Sequence, residues 1–562
     1  MPLQPPWRGA PVADDAIRDH PSLRPWHCGA CAGAGGSSNR GIGGMASDNA
    51  VEIVDGYYTN QLLVTLHPTA LQDAIPEALA ALRAPMILES DFRSFRDSVA
   101  AHAQALGVAV EVDGDTAVLT APSFLDELSR SGLIEKAVPV RRPHQNETML
   151  SSTLPPGGGR LAAAAAESFA AAAADRPSDQ LLSGTVLLRA SPGQDPEKLR
   201  GMLLGAGQIV QSVERVPVRK LYQAPRPAGY APIAPWHLER IRLDAARAAG
   251  LIPDLAEQQG VTVAVLDTGI DAHHELLRDR IANYSYAPPY PGVTSDQRDI
   301  IGHGTHVAGT IAADGSIGDV EGVCRARLHV HKIFDDDIDS VQYFQGANGE
   351  MFAEDGHYVN PVMYLRALAA CVDNNYDVIN LSIGGPSIGD SHEQAHFRRL
   401  VDQGQIVVAA MGNERRNGSP TSWPAAYDGV VAVGALDFND GVATFSNKGD
   451  HIGICAPGVD ILATMPTYRG TERWTARRNA AGEMVRDKPV HWTVYRSTKS
   501  GTSMAAPQVA GAAALWVAKN GRDLNGFKEK LATSARSVPL MNGVPFTPDY
   551  GHGCIDVHAL LL

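Results

Sequence analysis

Four short stretches of this 562-residue chain carry side chains that could cooperate in one reaction. In SGTSMAAPQVAG (500–511), Ser503 follows Gly501-Thr502 and precedes an Ala-rich run. That run favours a helix, and Pro507 is tolerated in a first turn. Serine oxygens cap helix starts, so one reading of Ser503 is structural. The other places its Oγ at the positive end of a helix dipole, as a nucleophile. VAVLDTGID (263–271) sets Asp267 at the end of an apolar run, where a carboxylate needs hydrogen bonds or a partner. GHGTHVAGTIAA (302–313) opens a helix with His303 between two glycines, and VVAAMGNE (407–414) leaves Asn413 just past another apolar run. Singly these read as a turn aspartate, a cap-region histidine and a turn asparagine. Together they supply an acid, a base, an amide donor and a nucleophile, which is the set that acyl transfer requires.

Such groups need a rigid frame. VTVAVLD (261–267), ARLHVHKIF (326–334), YDVINLSI (376–383), QIVVAAMG (405–412) and VVAVGAL (430–436) are near-continuous apolar runs with helical patterns between them. Strands buried on both faces have that composition, so the spacing predicts an α/β fold with a doubly wound, mainly parallel sheet. Functional groups of such sheets gather at the carboxyl ends of the strands.

The chain order Asp267, His303, Asn413, Ser503 resembles the subtilisin-like serine proteases, the S8 or subtilase family. DTGID, HGTHVAGT, DVINLSIGG, WPAAYDGVVAVGALD, ATFSNKG, APGVDILAT, GTSMAAPQVAG and YGHGCIDV all resemble family segments, in family order, over residues 237–562. The resemblance implies that Ser503 is the nucleophile and that His303, not His306, is the general base. It implies that Asp267 orients the imidazole and that Asn413 and the Ser503 N–H form an oxyanion hole. It further implies that Ser382, Ile383 and Gly384 pair their backbone with an extended substrate. Gly384 and Gly385 would leave room beside the pocket for the residue before the bond, and Ala410 to Gly412 would line its other wall. The activity implied is a serine endopeptidase, regulated by its N-terminal region. A protease dedicated to maturing one precursor, or a non-catalytic scaffold on a protease fold, are the alternatives. No cofactor is required by this chemistry.

The N-terminal 236 residues read differently. Residues 1–55 form a Gly/Pro/Ser-rich leader expected to be disordered. Within it Cys28-Gly-Ala-Cys31 has no second pair to complete a zinc site, and Met45 is a second candidate start. A small α+β domain is expected over 56–150, with a strand at 57–67, helices at 68–83 and 92–106, a hairpin at 107–122 and a helix at 123–137. An Ala/Pro/Gly-rich linker covers 151–181, a second propeptide-like α+β unit 182–223, and a Pro-rich connector 224–236. VPVRRPHQ (138–145) and VPVRKLYQ (216–223) share five of eight residues, which suggests an internal duplication. Relatives often carry one α+β propeptide that folds against the protease. That implies an intramolecular inhibitor or chaperone here, with cleavage expected between 223 and 236.

Two long insertions depart from the family pattern. The acidic loop 335–363 reads either as a preference for basic substrates or as a solvated insertion, and its DDDID makes calcium conceivable. The basic, aromatic insertion 467–499 reads as a lid, an exosite or a docking surface. A net charge of −14 argues against nucleic acid as a general partner, and no run of 18 or more apolar residues argues for a membrane span. Six scattered cysteines and no visible signal segment favour a cytoplasmic setting, with secretion by another route left open.

Overall fold

A computed structural model describes residues 53–67, 128–129, 132–140, 178–182, 184–207, 210–224, 235–286, 297–316, 318, 320–345, 349–492 and 494–562. The leader with its Cys28–Cys31 pair, the helices expected at 68–83 and 92–106, the hairpin at 107–122, most of the linker and most of the connector lie outside these residues.

Seven parallel strands form the central sheet. Their order is Ile452–Pro457, Val431–Leu436, Ile406–Ala410, Val378–Leu381, Thr262–Asp267, Arg327–Lys332 and Ile281–Ser285. All five predicted strands are present. Ile281–Ser285 and Ile452–Pro457 are additions at the two edges. Alternate residues serve opposite cores. Val263 and Val265 pack with the helices His303–Ala312 and Thr502–Asn520, whereas Ala264 and Leu266 pack with Pro361–Asn374 and Ser391–Asp402. Both faces are therefore dry, which explains the uninterrupted apolar runs.

The carboxyl end of Thr262–Asp267 faces the start of the His303 helix. Asp299 fixes that junction. Its Oδ1 accepts from the Gly302 N–H (2.8 Å) and the Thr268 hydroxyl (2.7 Å), and its Oδ2 from the N–H (2.8 Å) and hydroxyl (2.7 Å) of Thr305. The Thr268 hydroxyl oxygen in turn accepts the Gly304 N–H at 2.8 Å. Gly304 is obligatory for space, since a Cβ there would lie 2.1 Å from the Gly269 carbonyl oxygen. Asp299 is fully buried, and a carboxylate at a helix N-terminus suits both the free N–H groups and the dipole.

Strands from both sides of the Ala-rich stretch share one antiparallel sheet. Tyr57–Leu66 lies between Val210–Pro217 and Thr185–Ala190, and Thr185–Ala190 also pairs with Ile134–Pro139. The segments expected as two small units thus build a single layer. One face (Tyr58, Leu63, Val138, Leu187, Val216) packs on the helices Pro361–Asn374 and Ser391–Asp402. The other (Leu62, Val64, Val186, Leu188) packs on Leu199, Met202 and Leu203 of the Pro196–Gly205 helix. The helix expected over 123–137 is not continuous. Gly132 adopts φ +70°, and Ile134–Pro139 is a strand whose buried residues fill this sheet.

The two insertions also meet. Ser340–Gln345, Met351–Gly356, Thr471–Arg478 and Met484–His491 form one four-stranded antiparallel sheet. Asp336 binds Lys332 Nζ at 2.8 Å, Asp335 accepts from Asn360 at 2.8 Å, and Asp339 accepts the Tyr358 N–H at 2.7 Å. Those carboxylates of DDDID are spent on protein donors. Among the described residues no group of three or more His, Cys, Asp or Glu is placed to hold a metal ion. Replacing Asp299 by Ala strands several buried donors at once. On a Ser503→Ala background, which prevents digestion, the denaturant midpoint should fall by the equivalent of about 3 kcal/mol. An unchanged midpoint would show that the Asp299 junction is dispensable.

Candidate active site

Asp267, His303 and Ser503 meet at the rim of the central sheet, all with no solvent exposure. Asp267 Oδ1 contacts His303 Nδ1 at 2.7 Å and also accepts the Thr268 N–H at 2.7 Å. This anchors one side of the imidazole. His303 Nε2 is buried and makes no hydrogen bond. The Ser503 hydroxyl donates to the Ser382 carbonyl at 2.8 Å, so the serine–histidine bond is not formed in this arrangement. His306 is placed otherwise. Its Nε2 meets the Ile461 carbonyl oxygen at 2.9 Å, and burial pushes its pKa well below the ordinary value, which keeps it a neutral packing residue.

Residues 219–224 run through the cleft as an extended strand. Leu221 pairs with Ile383 and Lys220 with Gly384, antiparallel. The opposite edge of the same strand is also bonded, through the Val359 N–H to the Arg219 carbonyl (2.8 Å) and an antiparallel bridge between Lys220 and Tyr358. The Tyr222 carbonyl then receives Asn413 Nδ2 at 2.5 Å and the Ser503 N–H at 3.4 Å. Asn413 is itself held, its Oδ1 accepting the Thr502 N–H (3.0 Å) and hydroxyl (2.9 Å). Gly501, at φ +149°, can take no side chain. A Cβ there would fall 2.1 Å from that same Tyr222 oxygen. Beyond it, the Ala224 N–H bonds the Ser500 carbonyl at 2.7 Å.

The Tyr222 ring is 2 % exposed, and its hydroxyl lies 2.8 Å from Ser422 Oγ. Burial, with Glu414 nearby, raises the phenol well above its usual pKa and keeps it neutral. A Cβ on Gly384 would sit 2.3 Å from Tyr222 Cε2, so that glycine makes room for the ring. Gly385 backs the Val218 carbonyl and pairs with Trp423. The Ser382 carbonyl accepts the Ser503 hydroxyl, and its own hydroxyl donates to the Ser503 carbonyl at 2.9 Å. Ala410 ends its strand against Val433, and the Gly412 N–H donates to the Thr502 hydroxyl at 3.2 Å. Both brace the Asn413 turn.

Several contributors escaped the sequence reading. Asp299 sits in an unremarkable DIIGHG. Glu354 and Lys499, from the two insertions, grip the Gln223 side chain at 2.6 and 3.0 Å. Glu393 binds Arg219. Ser422 stands just before the segment that carries the family signal. None of these is marked by local pattern.

A family model described as the subtilase family, Peptidase_S8, matches residues 258–546. Subtilisin amylosacchariticus of Bacillus subtilis subsp. amylosacchariticus is 33% identical over 336 residues, covering 59% of this chain and 72% of that protein. Subtilisin BL of Lederbergia lenta is 34% identical over 330 residues, covering 58% of this chain and 97% of that protein. Among solved structures, fervidolysin from Fervidobacterium pennivorans, a keratinolytic enzyme related to subtilisin, aligns with TM-score 0.50 at 20% identity. That alignment covers 91% of this chain but only 62% of the fervidolysin chain, and it shows a shared fold. The sheet, the order of the site residues and these matches agree: the chain belongs to the subtilase family and is a subtilisin-like serine peptidase.

Proposed function

We propose that this chain is an endopeptidase whose own N-terminal region occupies the cleft and is its first substrate, cut between Tyr222 and Gln223. One observation carries the reading. The Tyr222 carbonyl oxygen points at two N–H donors, from Asn413 and from Ser503, while the unbroken chain continues to Ala224 on the far side. The bond lies one peptide before the expected 223–236 stretch, because register in the cleft, not proline content, chooses it.

The chemistry follows from the geometry. Ser503 Oγ leaves the Ser382 carbonyl and turns to His303 Nε2, which is open to receive a proton. Oγ attacks the Tyr222 carbonyl carbon as His303 takes its proton. Asp267 holds the imidazole through Nδ1 and stabilises its positive charge. Negative charge grows on the Tyr222 oxygen, where Asn413 Nδ2 and the Ser503 N–H already stand. His303 returns the proton to the Gln223 nitrogen as the C–N bond breaks. Water, deprotonated by His303, then hydrolyses the acyl-enzyme and frees a carboxylate at Tyr222. The N-terminal antiparallel sheet packs on the helices Pro361–Asn374 and Ser391–Asp402, which supports a continuing inhibitory or chaperone role.

Intact-mass measurement tests the cut. Wild type should yield a leader ending at Tyr222 and a fragment starting at Gln223, and Ser503→Ala should stay whole. A wild-type chain that remains whole beside its Ser503→Ala counterpart would remove self-processing. Asn413→Ala should slow the cut by about 100- to 1000-fold in a time course. Gly384→Ala pushes a methyl group into the Tyr222 ring and should slow it by about tenfold or more. An undiminished Gly384→Ala rate would mean that the ring does not seat there during reaction.

A further inference from the structure

Three groups around the strand have no part in the bond-breaking chemistry: Glu393, Glu354 and Lys499. Arg219, four residues before the Tyr222–Gln223 bond when Tyr222 is counted as the first, is 1 % exposed. Its Nη2 reaches both oxygens of Glu393 at 3.0 Å, and its Nε reaches Oε1 at 3.3 Å. Its Nη1 donates to the Val218 carbonyl at 3.1 Å. Glu393 is equally buried, at 1 %, in the first turn of the Ser391–Asp402 helix. The Tyr427 hydroxyl also donates to it, at 3.4 Å. Burial pushes the Glu393 carboxyl upward, against the pull of Arg219.

On the other side of the bond, Gln223 is read by its amide. Its Nε2 donates to Glu354 Oε1 at 2.6 Å, and its Oε1 accepts from Lys499 Nζ at 3.0 Å. Glu354 comes from the added four-stranded sheet, and Lys499 from the Arg496–Lys499 strand that closes the other insertion and pairs with Ile461–Thr464, so each insertion supplies one half of this clamp.

Resting on the processing reading above, we propose that the protease selects polypeptide substrates with an arginine four residues before the cut and a glutamine directly after it, through Glu393 on one side and Glu354 with Lys499 on the other. A neutral side chain in the Glu393 pocket leaves a buried acid unpaired, which costs far more than the lost contact itself. A site built around a polar partner therefore rejects analogues that lack it. Lysine fills the charge but brings one nitrogen, where the planar guanidinium sets Nη2 and Nε on the carboxylate and Nη1 on the Val218 carbonyl. Glutamate in place of glutamine would set one carboxylate against Glu354. The sequence supports the same two positions. Between VPVRRPHQ (138–145) and VPVRKLYQ (216–223), Arg and Gln are kept while the three residues between them all differ. The acidic loop thus contributes a glutamine contact, and the pocket for a basic residue comes from a helix that precedes the Asn413 strand.

The test uses the purified full-length wild-type chain and excess synthetic peptides, read by mass spectrometry. The peptides are residues 216–227, the same peptide with Arg219→Leu, Arg219→Lys or Gln223→Glu, and residues 138–149. Arg219→Leu should lower kcat/KM by about 100-fold or more, with Arg219→Lys intermediate. Gln223→Glu should lower it by about tenfold or more. The 138–149 peptide should be cut after His144. In Glu393→Gln enzyme the Arg-over-Leu preference should shrink below about tenfold. Equal rates for the Arg and Leu peptides, an intact preference in Glu393→Gln, or survival of 138–149 while 216–227 is cut would each overturn the code. The peptide series on wild type needs no variant to fold. If no peptide is cut and a fluorophosphonate fails to label Ser503, the protease reading itself falls, and that outcome is distinct from cutting without preference.

Discussion

Register in the cleft governs this molecule. The strand 219–224 is hydrogen-bonded on both edges, to Ile383–Gly384 and to Tyr358–Val359, before it reaches the donors at Asn413 and Ser503. In extended backbone, successive side chains face opposite ways, so a one-residue slip would reverse every contact. It would withdraw the Tyr222 oxygen from its donors, remove the ring from beside Gly384 and break Arg219 from Glu393 at once. The site residues, the two insertions and the N-terminal sheet all refer to this single alignment.

Buried charge makes the alignment selective. A pair such as Arg219–Glu393 offers modest net stability, because desolvation of both ions offsets much of their attraction. Its value lies in what it excludes: the wrong register or the wrong side chain leaves one ion alone. The burial of Asp267 follows a related logic. It is affordable only because Thr268 and His303 satisfy one oxygen, and the second oxygen, with no hydrogen bond, is left to act through charge on the imidazole. Asp299, with four donors, keeps that imidazole aimed without touching the reacting atoms.

The additions to the family fold converge on the same strand. The N-terminal sheet rests on two helices and delivers the strand from one end. The sheet made by the two insertions flanks it on the other side and contributes Glu354. Between that sheet and the strand lies a cavity of about 330 Å³, lined by Leu221, Gln223, Tyr358 and Trp474 among others. The insertion expected as a lid, an exosite or a docking surface contributes Lys499, which contacts the side chain of the residue after the bond.

The sequence by itself determined whatever depends on neighbours along the chain. Apolar runs named five central strands, because a strand covered on both faces needs apolar residues throughout. Short motifs singled out Asp267, His303, Asn413 and Ser503 as an acid, a base, an amide donor and a nucleophile, and the resemblance of their order and flanking segments to subtilases gave each its expected role. Tertiary structure decided the rest. The 134–139 segment became a strand because Thr185–Ala190 offered an edge and the sheet a core, which outweighed a helical pattern broken at Gly132. Arg219 and Glu393 lie 174 residues apart, and Glu354 and Lys499 come from separate insertions. No local spacing can encode such meetings, since a lone glutamate in a helix's first turn looks like an ordinary favourable charge at the dipole. Only folding, by burying that carboxylate opposite one arginine, turned it into a recognition element.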